Sequence, residues 1–130
     1  MERLRLNGTL QQTAKKYQCH LETIQNVTEL LLYGTKAWTF PMQDVNLTLR
    51  YPSENEQEDP EHVITGVTVI LYMDGFDNGG HIKSGGIMED NILLTFLLNS
   101  TSRLSYQFWL YGVKKTKANL ITHSNYQDLC

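Results

Sequence analysis

Three stretches of this chain alternate between two kinds of side chain with a period of two, and that alternation limits the fold more than any other feature. Leu104, Tyr106, Phe108 and Leu110 interleave with Ser105, Gln107, Trp109 and Tyr111. Val45, Leu47, Leu49 and Tyr51 interleave with Asn46, Thr48 and Arg50. Ile92, Leu94, Phe96 and Leu98 share one face, with Leu93 and Leu97 on the other. Successive side chains of a strand point to opposite faces, so each stretch reads as a strand with one core side.

Two further segments fit the same class. Leu30 to Phe40 is rich in Leu, Tyr, Thr, Trp and Phe and stops at Pro41, while Pro52 ends the next strand. Val63 to Met73 is β-branched and nearly uncharged, which predicts a central strand covered on both faces, with Gly66 marking a bulge. Ser53 to Glu61 carries five carboxylates and Pro60, an exposed connection. Asp74 to Gly86 holds five glycines in thirteen residues and reads as a loop or loose hairpin, and Asn99 to Arg103 reads as a turn.

Strands parted by short turn clusters, with no helical period after residue 31, predict a mainly β fold. The expected architecture is an antiparallel β-sandwich of about seven strands, with edges from residues 1–25 and 118–128. A chain of 130 residues suits one domain. We divide it into an N-terminal segment 1–29, a sandwich core 30–117 and a polar tail 118–130.

The N-terminal segment admits several readings. Asn7-Gly8 between alternating residues is a hairpin signal, because both turn positions need positive φ. Leu10, Ala14, Tyr17, Leu21, Ile24, Thr28 and Leu31 instead follow the 4-3-4-3 spacing of a coiled-coil seam. An amphipathic helix, further strands and an oligomerising stalk all stand as alternatives. Leu4-Arg5-Leu6-Asn7-Gly8-Thr9-Leu10 resembles a shaft repeat of adenovirus-type fibre proteins over these seven residues. That resemblance implies a shaft followed by a β-rich head, as in a trimeric attachment fibre.

Compartment is read from sequons and cysteines. Asn7, Asn26, Asn46 and Asn99 each begin an N-x-Thr acceptor pattern. Composition alone predicts about 1.3 such patterns, so four point to an extracellular, cell-surface or virion-surface glycoprotein. Met1 to Leu6 has charge but no apolar core of a signal peptide, so an exported form would be a mature fragment or an excised domain. Cys19 and Cys130 are the two cysteines. Paired, they would close a loop of about 110 residues and stabilise by roughly 4–5 kcal/mol, and two free thiols are the alternative.

The sequence offers no catalytic constellation. Ser84 lies outside a G-x-S-x-G elbow, and His20, His62, His81 and His123 include no H-x-x-x-H pair. We therefore expect no enzyme, no metal site and no cofactor. A net charge of −3 argues against a nucleic-acid partner, and no apolar run reaches the ~18 residues of a membrane helix, so no membrane insertion is expected.

The expected function is a non-enzymatic recognition domain that binds a protein or a glycan. Trp109 and Tyr111 share the face opposite the core face of their strand, and paired aromatics on a sheet suit a flat binding surface. Asp77, Asn78, His81 and Lys83 complete the candidate ligand-binding residues, because glycine lets a backbone approach a partner closely. A structural or assembly subunit is the alternative. A homo-oligomer could set the acidic run 54–61 against Lys114, Lys115 and Lys117.

Overall fold

All five strands belong to one antiparallel sheet. The computed structural model describes residues 13–21, 27–52 and 61–120. The strands are β1 (Thr13–His20), β2 (Glu29–Tyr51), β3 (His62–Met73), β4 (Phe76–Gly85) and β5 (Ile92–Lys114), followed by a 3-10 helix at Lys115–Leu120. The mainly β, antiparallel class is as expected, but among the described residues the strands number five, not seven.

The spine is β5. Along its whole length it pairs with β2, from Glu29↔Gly112 to Tyr51↔Ile92. Its other edge is shared: β3 takes Leu104–Lys114 and β4 takes Ile92–Asn99. β3 and β4 therefore run in line in the same direction, interrupted at Asp74–Gly75. β1 adds to the outer edge of β3. The result is a wide half of four strands (β1, β3, the C-terminal part of β5, the N-terminal part of β2) and a narrow half of three.

The two halves fold back on each other. By register, Tyr17 pairs with Val69 and Val69 with Phe108, so Tyr17 sits level with Phe108. Phe96 lies twelve residues further along β5, about 40 Å away in a straight strand. Yet the Tyr17 and Phe96 ring centroids are 5.1 Å apart. A single core cluster accordingly joins Val67, Val69, Leu71, Phe108 and Leu110 of the wide half to Leu47, Leu49, Ile92, Leu94 and Phe96 of the narrow half. Those of β2 and β5 are the alternate residues that the sequence assigns to core faces; β3, expected to be covered on both faces, buries Val67, Val69 and Leu71 on this one and leaves Thr68, Ile70 and Tyr72 half-buried on the other.

The bend has a local cause. Ser100 adopts φ 51°, the left-handed region rare for residues with a side chain. At the same level β2 shifts register between Thr39 and Val45, around Pro41. Backbone amides that leave a ladder need other acceptors. Ser100 N–H donates to Asp44 Oδ1 at 3.1 Å, and Ser102 and Arg103 N–H donate to Asp74 Oδ1 at 2.9 and 3.1 Å. The Ser102 hydroxyl donates to Asp74 Oδ2. Asp74 feels two opposed effects: burial pushes its carboxyl up, and the bonds from Ser102 and Arg103 outweigh it, holding the group below its ordinary value. A Cβ at Gly75 would collide with the Asn99 and Ser100 carbonyls, so glycine is what lets the interrupted strand cross here.

Several expectations are corrected. Of the three readings of the N-terminal segment, residues 13–20 take the strand one, not the helix or the coiled-coil seam, because Tyr17 and Cys19 enter the core while Gln18 and His20 face outward. The seam positions at Leu10 and Ile24, the fibre-like repeat and the tail from residue 121 lie outside the described residues. The glycine-rich segment is mostly strand, since β5 supplies ladder partners along it. Gly80 lies directly opposite Phe96 and leaves room for its ring, a place no Cβ could share. Neither Pro41 nor the turn at Asn99–Arg103 ends its strand; both are bends inside one. The bulge expected at Gly66 is present as a register shift between Ile64 and Gly66.

Candidate functional site

Doubling a sheet creates two outer faces, and the candidate residues divide between them. The outer face of the wide half follows from register. One row across the strands is Gln18, Thr68, Trp109 and Tyr33; the next is His20, Gly66, Tyr111 and Leu30. On the other side of the first row lie Lys16, Ile70, Gln107 and Thr35, then Ala14, Tyr72, Ser105 and Ala37. No described element packs over these rows. Four strands by four rows span roughly 19 by 26 Å, a mixed face of aromatic and neutral polar side chains.

The aromatics on this face are held by each other. Tyr33 and Trp109 pair at 5.3 Å between centroids, tilted by 48°. Gln107 joins the two sides: its Oε1 accepts from Tyr72 Oη at 3.0 Å, and its Nε2 donates to Tyr33 Oη at 3.3 Å. His20 packs on Tyr111 at 5.7 Å, and its Nε2 lies 2.9 Å from Thr68 Oγ1. Burial, with Lys16 beside it, lowers the pKa of His20 and favours the neutral ring. Lys16 is then the single charged side chain among sixteen positions, in a chain that is 19% charged. Enrichment in Tyr and Trp with depletion of charge is the composition of an interface core.

The outer face of the narrow half is different. Asn46, Asn78, Gly79, Gly80, His81, Lys83, Thr95 and Leu97 line an open groove of about 520 Å³. Its polar groups are mostly neutral and satisfied within the face: Thr95 Oγ1 donates to Asn46 Oδ1 at 2.5 Å, and Asn78 Nδ2 donates to Asn99 Oδ1.

The ligand-binding candidates from sequence thus do not form one site. Trp109 and Tyr111 lie on the wide half; Asn78, His81 and Lys83 lie on the narrow half. Asp77 belongs to neither, because it is in the same row as buried Leu98. Its carboxylate accepts from Tyr17 Oη and, at 2.8 Å, from Gly79 N–H, so it ties the two halves together. Tyr33, Gln107, Tyr72 and His20 were missed from sequence. Their signal is cross-strand register with Trp109 and its neighbours, which a single strand's alternation does not contain.

Among the sequons, Asn46 is exposed and Asn99 half-buried, while Asn7 and Asn26 lie outside the described residues. Cys19 is fully buried and disulfide-bonded; Cys130 lies outside the described residues. Among the described residues no group of three or more His, Cys, Asp or Glu is placed to hold a metal ion, and no helix is long and apolar enough to cross a membrane. Compared with known proteins, the chain matches no family model, no curated protein and no solved structure.

Proposed function

We propose that this is a non-enzymatic recognition domain, extracellular or on a virion surface, that binds a protein partner through the outer face of its wide half. The observation that carries this reading is the Tyr33–Trp109 pair, which no described element covers, within a sheet face whose sixteen positions bear one charge. Of the two ligand classes the sequence leaves open, protein is favoured over glycan. A sugar stacks on a free ring face, whereas here Trp109 and Tyr33 pack on each other in a tilted pair and the polar tips of Tyr33 and Tyr72 are bound to Gln107. The doubled sheet, with both inner faces closed on one core, supports reading the fold as sandwich-like. The four sequons support the extracellular placement.

The test is an array of secreted and cell-surface ectodomains, run beside a glycan array and probed with the wild-type chain and a Tyr33→Ala, Trp109→Ala variant. An ectodomain bound by wild type and weakened about 30-fold or more by the variant is expected, since central aromatic anchors contribute about 2 kcal/mol or more. Binding confined to the glycan array would replace protein by sugar as the ligand. Ectodomain binding untouched by the variant would move the site elsewhere.

A further inference from the structure

The groove on the narrow half lies beside one of the four acceptor asparagines, Asn46. Resting on the extracellular reading above, we infer that Asn46 carries an N-linked glycan whose first sugar lies in this groove over Leu97, and that Asn99 stays unmodified.

Four observations support this assignment. Asn46 and Thr48, the two residues the acceptor pattern needs, are both exposed on the same strand. Thr95 holds the Asn46 amide by its Oδ1, which turns Nδ2, the nitrogen that takes the sugar, away from that contact. Leu97 is the direct cross-strand neighbour of Asn46 and is 48% exposed, an apolar surface at the reach of a first sugar. Finally, Gly79 keeps the far wall of the groove low, since nothing lies within 4 Å of a Cβ built there.

Asn99 has the same motif and the opposite setting. Its Oδ1 accepts from Asn78 much as that of Asn46 accepts from Thr95, so the difference lies in burial: Asn99 sits half-buried at the bend. Its acceptor threonine, Thr101, is fully buried and donates its hydroxyl to the Asn99 carbonyl at 3.1 Å. A bulky, solvent-seeking group suits the first position and not the second. In the transfer, the anomeric carbon of N-acetylglucosamine forms a bond to Nδ2 and breaks its bond to the phosphate of a lipid-linked diphosphate donor. The amide loses one proton, and the lipid diphosphate leaves.

The experiment expresses the chain in a eukaryotic secretory host behind a supplied signal peptide. Enzymatic deglycosylation converts each occupied Asn to Asp, and peptide mass then gives occupancy at Asn7, Asn26, Asn46 and Asn99. The expected result is Asn46 occupied and Asn99 bare. The native chain should also release the Asn46 glycan about fivefold more slowly than the denatured chain, and Leu97→Lys should remove most of that protection, as loss of a modest apolar contact implies. Asn46 bare while Asn7 or Asn26 is occupied would overturn this inference and leave the extracellular reading standing. All four sites bare would overturn both. Occupancy at Asn99 equal to that at Asn46 would also overturn the assignment, and protection unchanged by Leu97→Lys would overturn the seating of the sugar.

Discussion

The wide and narrow halves share two long strands, β2 and β5, yet their outer faces have opposite chemistry. Their inner faces do not: both present Leu, Ile, Val and Phe to one core. Outside, the wide half shows Tyr33, Trp109, Tyr111 and Tyr72, while the narrow half shows Asn46, Asn78, Thr95 and His81 around a groove. The third strand makes much of the difference. β3 is β-branched and reinforced by β1; β4 is rich in glycine and forms an edge. Shared packing requirements make inner faces alike, and outer faces are free to diverge.

The largest effect expected is at the contact between the halves. Phe96→Ala removes a fully buried ring that packs on Tyr17, and should cost about 3–5 kcal/mol in urea denaturation. Leu97→Ala, one residue along on the outer face, should stay within about 0.5 kcal/mol. Equal costs for the two would mean that the sheet does not double over.

Next come the glycines, which sharpen the contrast between the strands. Gly80→Ala forces a Cβ into the Phe96 ring and should destabilise by about 1–3 kcal/mol. Gly34→Ala, on the wide half, meets no atom within 4 Å and should be neutral or stabilising by up to about 1 kcal/mol. A destabilising Gly34→Ala would show that the β2 edge is more closely packed than described.

Acid unfolding tests the bend. Because the folded Asp74 carboxyl lies below its ordinary value of 3.8, its stabilising contribution is present above that value and is lost as pH falls through the folded pKa. Asp74→Asn should destabilise at neutral pH by about 1–3 kcal/mol and flatten the acid limb of stability against pH. An unchanged acid limb would assign that dependence to other carboxylates.

The smallest effect concerns His20. Its folded pKa lies below the ordinary 6.5, so the neutral ring is favoured and stability falls as pH drops from that value through the folded pKa. His20→Gln should flatten this shallow slope without moving the stability above it. A slope that survives the substitution would point to another titrating group.

Much of the inner face was legible in sequence because burial imposes a period of two that a single strand displays. Ile92, Leu94, Phe96 and Leu98 need no neighbour to be recognised as a core face. The doubling was not legible, since it depends on Asp74 and Asp44 capping amides of β5 that lie 28 and 56 residues away. β1 was obscured because Leu10, Ala14 and Tyr17 fit a seam spacing as well as a strand. Glycines in β4 read as loop residues until Phe96 stands opposite Gly80. The candidate surface was half visible: Trp109 and Tyr111 come from one alternation, whereas Tyr33 and Gln107 join them only through register. The grouping of Asn78 and His81 with Trp109 failed because adjacency of unusual residues in sequence says nothing about which side of a bend they occupy.

The most direct test of recognition through the wide half sets the two outer faces against each other on one ectodomain bound by the wild-type chain. Its affinity is measured for Tyr33→Ala, Trp109→Ala and, separately, for His81→Ala, Leu97→Ala, each confirmed folded by circular dichroism. A loss of about 30-fold or more is expected for the first pair and of less than about threefold for the second. A loss confined to the second pair would contradict this and place recognition on the narrow half.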